Sequence, residues 1–211
     1  MATPINRFDK RALSYSQLAS WEYSPEQWYR NYILGIREPA NTAMLMGNKI
    51  GDLIGTPGNL IPGLEPVGIK EFELHAKMGD ISLIGYCDHY CPDTKVLNEN
   101  KTSSTKDRWT QKKVDEHGQL TMYCLLLYLQ HKVKPEEVTI YLNFIPVEEQ
   151  GDFTLALPNP PRFTTFPTKR TTRQILEYGA YITNTVKAMD EFIHLTSTTE
   201  GIGLRGRDDN K

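Results

Sequence analysis

The spacing of apolar residues changes period several times along the chain, and each change marks an element. Residues 14–35 read as two short helices. Ser14 with Gln17 has capping-box spacing, and Ser24-Pro25 with Gln27 repeats it with proline at the first helical position. Gly35 is placed to end the second helix. A third helix is predicted over Thr42–Ile54, then a Pro- and Gly-rich surface loop over 55–68 at the edge of the core. Three strand-like runs follow at roughly 67–77, 80–90 and 94–101, with hairpin turns at Gly79-Asp80 and Pro92-Asp93. Residues 114–131 form a leucine-rich helix, and the alternating, β-branched VTIYLNFIPV at 138–147 is a fourth strand. FTLAL and RFTTF, separated by PNPP, are expected to make a further pair of edge strands. Ile175, Ile182, Val186, Met189 and Ile193 recur at helical spacing within a long amphipathic helix over 171–195. The polar, Gly-rich tail at 196–211 is expected to be mobile.

This order predicts an α/β fold with a central mixed β-sheet flanked by helices. One domain spans 1–211, with a helical part at 13–55, a core at 66–147 and a C-terminal hairpin and helix at 152–195. At 211 residues the chain is long enough to bury a sizeable core. No apolar run suggests a secretory signal or a membrane helix, so a cytoplasmic protein is expected, in a bacterial or infected host cell. Cys87, Cys91 and Cys124 are odd in number and widely spread, which suggests neither a disulfide framework nor a zinc site. With a net charge of −2, affinity for nucleic acid must come from a local patch and bound cations.

Candidate chemistry lies on the second and third strands. Asp88 sits near the end of ISLIGYCDHY, on the face of Ile84 and Tyr86, because strand side chains alternate. Glu99 and Lys101 are two apart in KVLNENKTS and share a face. Pairing through the Pro92-Asp93 turn brings Asp88 and Glu99 together. Two adjacent carboxylates repel unless a cation is shared between them, and Mg²⁺ or Mn²⁺ takes such oxygen ligands. A metal held this way suits phosphodiester hydrolysis, with Lys101 orienting water or stabilising charge. The alternative is three solvent-facing residues on a sheet edge. Gln119 and Tyr123, four apart, share a face of the following helix.

IGYCDHY, LNENKTS and QLTMY, in that order, resemble the motifs of the PD-(D/E)XK nuclease superfamily, in particular its RecB-like exonuclease branch. LSYSQLASWEYSPEQWYRNYILG is similar to that branch's opening helices, so the resemblance covers about residues 13–145. It implies a restriction-endonuclease-like core and a metal held by Asp88, Glu99 and the backbone carbonyl of Asn100. Lys101 then assists catalysis, and Gln119 and Tyr123 help place the lysine and the DNA backbone. Members often carry a metal-binding histidine in G-x-x-[IV]-H; in MGNKIGDLI, Gly51 occupies that position. Asp52, Glu71 or Glu73 are candidate substitutes, or fewer protein ligands hold the metal. The four-cysteine cluster of some members is absent, so no iron–sulfur cluster is expected.

KTSSTKDRWTQKK at 101–113 is a basic segment with one aromatic residue. Lys106, Arg108, Lys112 and Lys113 are candidate phosphate contacts and Trp109 a candidate stacking residue. A solvated loop with a packing tryptophan is the alternative. His75, His89, His117, His131 and His194 are read as structural. The expected function is a metal-dependent exonuclease acting on DNA ends in recombination, repair or phage genome processing, with a recombination or annealing protein as a candidate partner. A non-catalytic DNA-binding protein and a structure-specific endonuclease are the alternatives.

Overall fold

The computed structural model of the chain describes residues 12–36, 38–56, 61–105, 108–150 and 154–205, with side chains through Ser197. Helices α1 (Tyr15–Tyr23) and α2 (Pro25–Trp28) part at Ser24, whose backbone is extended and whose hydroxyl accepts the Gln27 N–H at 3.1 Å. α2 runs on as a π-helical turn, Tyr29–Ile33, before Gly35 at φ +73°. The capping box expected at Ser14 does not form. Leu13 is held as a strand residue between Ser82 and Ile84. Gln17 Nε2 accordingly donates to the Ala12 carbonyl at 3.0 Å. Helix α3 (Thr42–Leu53) starts at Asn41, whose side chain accepts the Met44 N–H at 2.9 Å.

The central sheet has the order β1-β2-β3-β4-β7: β1 (Ile69–Met78), β2 (Ile81–Cys91), β3 (Val96–Ser103), β4 (Thr139–Pro146) and β7 (Thr164–Thr168). β1, β2 and β3 are antiparallel neighbours joined by the two expected turns. β3 and β4 are parallel, so the connection between them must cross over, and it does so through helices. β7 runs antiparallel to β4 and covers an edge that would otherwise lie bare. FTLAL and RFTTF therefore do not pair with each other. The first contributes β6 (Thr154–Ala156), which pairs with β5 (Glu148–Gln150), and the second becomes β7.

Two helices replace the single one expected over 114–131: α4 (Gln111–Asp115) and α5 (Gly118–His131). Arg170, 1% exposed, stabilises the break. Its guanidinium donates to the carbonyls of Val114 at 2.9 Å and His117 at 3.3 Å and to Thr121 Oγ1 at 2.8 Å. Backbone acceptors freed by the interruption thus find donors. The run Leu120–Leu127 is buried throughout, because α5 is packed among the sheet, α1 and α6. α6 (Thr172–Arg205) continues past Leu195, where a mobile tail was expected. TSTTEGIGLR contains no proline, and its two glycines cost a helix only about 1 kcal/mol each.

α5 covers one face of the sheet and α6 packs against α5, around a core that includes Leu74, Leu97, Leu142, Ile175 and Ile182. α3 lies against β3 and β6, and Gly47 approaches Thr102. A second core joins Ile50 of α3 and Ile54, just past its end, to Ile145 and Val147. Ile61 and Leu64, from the segment expected to be a surface loop, are buried in it; their apolar side chains pin that loop down. Among the described residues no helix is long and apolar enough to cross a membrane.

Candidate active site

The site forms where β2 and β3 separate. Their pairing covers only His89–Cys91 against Val96–Asn98, and Asp88 and Glu99 stand at the next position, where the strands part. The Asp88 carboxylate occupies the fork and accepts the Asn100 N–H at 2.6 Å. On its other side, Asp88 and Glu71 are also missing from an otherwise continuous β1–β2 register, and Glu71 has φ +50°. Cys87 and Tyr90 both enter the main core although they are three apart. Strict alternation is therefore interrupted between Cys87 and Tyr90, and Asp88 lines the same cleft as Tyr86. Irregular pairing of this kind re-aims a side chain.

Glu99 is 2% exposed, on the strand that also buries Leu97. Its Oε1 lies 2.6 Å from Lys101 Nζ, while Oε2 is buried without a hydrogen-bond partner. Burial pushes the Glu99 carboxyl up to about 7, against the attraction of Lys101 and with the repulsion of Asp88. Asp88 is raised as well, again by burial, with the Asn100 N–H and Lys101 opposing. For Lys101, burial favours the neutral amine, but the charge and hydrogen bond of Glu99 outweigh it and the net shift is upward. Lys101 therefore stays protonated beside two carboxylates whose ionisation is costly.

Gln119 and Tyr123 do pair: Gln119 Nε2 donates to the Tyr123 hydroxyl at 2.7 Å, and that hydroxyl donates to the Tyr86 carbonyl at 2.5 Å. The chain of bonds anchors β2 two residues before Asp88. Gly85 makes this approach possible. A Cβ there would stand 2.8 Å from Leu126 Cδ1 and 3.1 Å from the Tyr123 ring. A second polar chain fixes Asn100 from the far side of β3. Thr165 Oγ1 donates to Asn143 Oδ1 at 2.8 Å, and Asn143 Nδ2 to Asn100 Oδ1 at 3.1 Å.

These groups open onto a cleft of about 910 Å³ lined by Asp88, Glu99, Asn100, Lys101, Gln119 and Tyr123. Glu71, Asp52 and Gly51 also line it, and a Cβ on Gly51 would meet nothing within 4 Å. Glu73 does not line it. That carboxylate accepts the Tyr86 hydroxyl at 2.6 Å and pairs with His75 Nε2 at 2.8 Å on the exposed face. Among the described residues no three His, Cys, Asp or Glu side chains form a group able to hold a metal ion. The carboxylates of Asp88 and Glu99 are hard oxygen donors on one cleft, and the unpartnered Glu99 Oε2 is an acceptor in want of a cation. This donor set fits Mg²⁺ or Mn²⁺.

Arg108, Trp109 and Lys113 line a separate cavity, Lys112 is exposed, and Lys106 lies outside the described residues. Trp109 packs edge-on against His117 at 4.9 Å between centroids, so its role is at least partly packing. Several residues of these sites escaped the sequence reading. Asn143 is a polar residue inside an apolar strand, a signal that was available. His89, 3% exposed, lines the cleft with its Nδ1 unpartnered, and only its neighbour Asp88 hinted at this.

No protein-family profile matches the chain, and neither does any curated protein. Among solved structures, a phage-related exonuclease from Haemophilus somnus 129PT superposes with a TM-score of 0.58 at 15% identity, covering 90% of this chain and 92% of that one. An alkaline exonuclease from Laribacter hongkongensis superposes with a TM-score of 0.52 at 13% identity, covering 92% and 95%. The shared property is the fold: an α/β core of restriction-endonuclease-like architecture, matched over nearly the whole length of each chain.

Proposed function

We propose that the chain is a metal-dependent deoxyribonuclease of the PD-(D/E)XK type, in its RecB-like branch, acting on DNA ends as an exonuclease. The observation that carries this reading is the buried Asp88–Glu99 pair, with Lys101 at 2.6 Å from one Glu99 oxygen and the other oxygen unpartnered, at the mouth of an open cleft. Buried carboxylate oxygens are as a rule hydrogen-bonded, so the free Glu99 oxygen favours a site that takes a ligand over a structural ion pair. Support also comes from the fold, which the chain shares with two exonucleases.

In this reading Asp88, Glu99 and the Asn100 carbonyl hold Mg²⁺ or Mn²⁺. When bound, the ion acts as a Lewis acid on the phosphoryl group and lowers the pKa of a coordinated water. Lys101 keeps its proton and presents a cation to the charge that develops on phosphorus-bound oxygens. Asp88 fixes the fork through the Asn100 N–H, so that strand β3 presents its carbonyl and its lysine in one setting. Gln119 and Tyr123 hold β2 through the Tyr86 carbonyl and act as positioning residues. Arg108, Lys112 and Lys113 supply phosphate contacts away from the cleft. A role at ends made during recombination, repair or phage genome processing, with an annealing protein as partner, belongs to the same proposal.

Gly51, where related nucleases carry a histidine, favours a second reading: a DNA-binding protein with an impaired metal site. End-labelled linear DNA and closed circular DNA, each with Mg²⁺ or Mn²⁺, separate the two. Loss of linear DNA alone is expected, and Lys101→Ala should abolish it. Cutting of circles would make the protein an endonuclease. Binding without cleavage in both metals would refute the nuclease reading.

A further inference from the structure

The second cavity, of about 690 Å³, lies outside the Asp88–Glu99–Lys101 cleft, and the proposed phosphate contacts Arg108 and Lys113 are in its lining. It is walled by the rings of Tyr15, Trp109, His117, Tyr178 and Tyr181, drawn from α1, the basic segment, the α4–α5 junction and α6. Those rings contact one another in two groups. Trp109 and Tyr15 flank His117 at 4.9 and 5.5 Å between centroids, and Tyr178 and Tyr181 are 5.4 Å apart. Gly118 floors the cavity, and a Cβ there would meet both Tyr15 and the Tyr178 hydroxyl at 3.1 Å. The absence of that Cβ lets the rings close onto the start of α5.

The cavity adjoins the cleft. His117 and Gly118 line the one, while Gln119, in the same helical turn, lines the other. Tyr15 and His117 both lie in the field of Lys101. The charges around the cavity are balanced: Arg108 and Lys113 against Glu22 and Glu116. Glu22 accepts the Tyr181 hydroxyl at 2.8 Å, and Lys113 Nζ donates to the Arg108 carbonyl at 2.9 Å. The balanced lining offers a phosphate no site inside the cavity and leaves Arg108 and Lys113 to phosphates outside it. An uncharged, flat, polar-edged guest matches it. The volume lies within the range of small-molecule sites, and aromatic faces accept any base by stacking.

We propose that this cavity receives one unpaired nucleobase of the strand whose phosphates pass the Asp88–Glu99–Lys101 cleft. The identity of that strand as DNA rests on the nuclease reading, whereas the aromatic cavity is independent of it. Strand separation of at least one base pair at a duplex end follows, because a paired base cannot enter.

The test uses the full chain in Ca²⁺ and a short single-stranded oligonucleotide with 2-aminopurine at its terminal position. Binding should quench the fluorophore. Tyr178→Leu should weaken binding by about tenfold or more, the range that loss of a stacking face produces. Tyr178→Phe, which keeps the ring, should restore affinity, and thermal melts of both variants guard against misfolding. An oligonucleotide whose terminal base is replaced by an abasic site should lose affinity to the same extent, with no further loss in Tyr178→Leu. Equal affinity for intact and abasic strands would overturn the proposal, as would an equal effect of Tyr178→Leu on both. Linear-DNA degradation is assayed in parallel. Degradation without quenching sinks the base cavity alone, and base-dependent binding without degradation sinks the nuclease reading while the cavity stands.

Discussion

Replacing Glu99 by Gln in the metal-free protein tests the electrostatics of the site without any assay of activity. Glu99 titrates near 7 in the fold against an ordinary 4.5. A carboxyl raised by folding weakens the fold when ionised, so its penalty is full above the folded value and is relieved as pH falls through it. At pH 6 the folded group is largely protonated and the unfolded one ionised. Linkage then makes the fold about 1.4 kcal/mol more stable at pH 6 than at pH 8.5 from this group alone. For a chain of this size that corresponds to about 3–6 °C in Tm. His117 opposes the trend, because burial, with Lys101 and Arg170, depresses it to about 4, and protonation on the way to acid costs the fold. His89 is depressed for the same first reason. Total stability is therefore expected to change little with pH, and the informative quantity is the difference between proteins.

Thermal melts in EDTA of the natural chain and of Glu99→Gln, from pH 8.5 to pH 6, supply that difference. The histidines contribute equally to both, whereas Asp88, raised by burial, loses the repulsion of Glu99 in the variant, so the difference reports the coupled pair. Between those limits the natural chain should gain about 3–6 °C relative to the variant. Mg²⁺ or Mn²⁺ should then stabilise the natural chain more at pH 8.5 than at pH 6, because the ion competes with the proton, and should barely move the variant. Parallel pH profiles would refute the reasoning: Glu99 would be an ordinary carboxylate, and its unpartnered oxygen would need another explanation.

Gly85→Ala forces a Cβ to 2.8 Å from Leu126 Cδ1 and crowds the Tyr123 ring; urea denaturation should show a loss of about 1–3 kcal/mol. Arg170→Lys cannot span Thr121, Val114 and His117 with one ammonium, and a loss of at least about 2 kcal/mol is expected in the same measurement. Asn143→Ala strands the Asn100 and Thr165 side chains, which should cost about 1–3 kcal/mol and weaken Mn²⁺ binding by calorimetry. Joint replacement of Lys112 and Lys113 by Gln should lower DNA affinity and flatten its salt dependence by up to about two units of log–log slope; an unchanged slope would remove both as phosphate contacts.

The three-strand meander, the helix and strand that follow it, and the grouping of Asp88, Glu99 and Lys101 are legible because each is written in a short stretch of chain. Glu99 and Lys101 need only strand alternation to be brought together, and the Pro92–Lys95 turn supplies the register toward Asp88. Other features are set by contacts distant in sequence. The break between α4 and α5 depends on Arg170, more than fifty residues downstream, satisfying carbonyls that an uninterrupted helix would have used. β7 pairs with the open edge of β4, although FTLAL is nearer to it in sequence. The split between β2 and β3 is likewise invisible to alternation, which assumes a continuous ladder.

That split shows why the carboxylates could be named from the sequence while their geometry could not. A continued ladder would spend the Asn100 N–H on β2 backbone and leave Asp88 aimed by the pleat. In the fork, the same N–H goes to the Asp88 carboxylate at 2.6 Å, and Leu13 takes up ladder bonds at Ser82 and Ile84 farther along β2. The acidic pair is thereby set by three segments, Leu13, β2 and β3, of which the motif contains only two. The aromatic cavity is the extreme of this case, since its walls run from Tyr15 to Tyr181 and no local pattern links them. Chemistry carried by neighbouring residues leaves a motif, whereas a cavity built across four elements leaves only scattered aromatics, each of which reads singly as core.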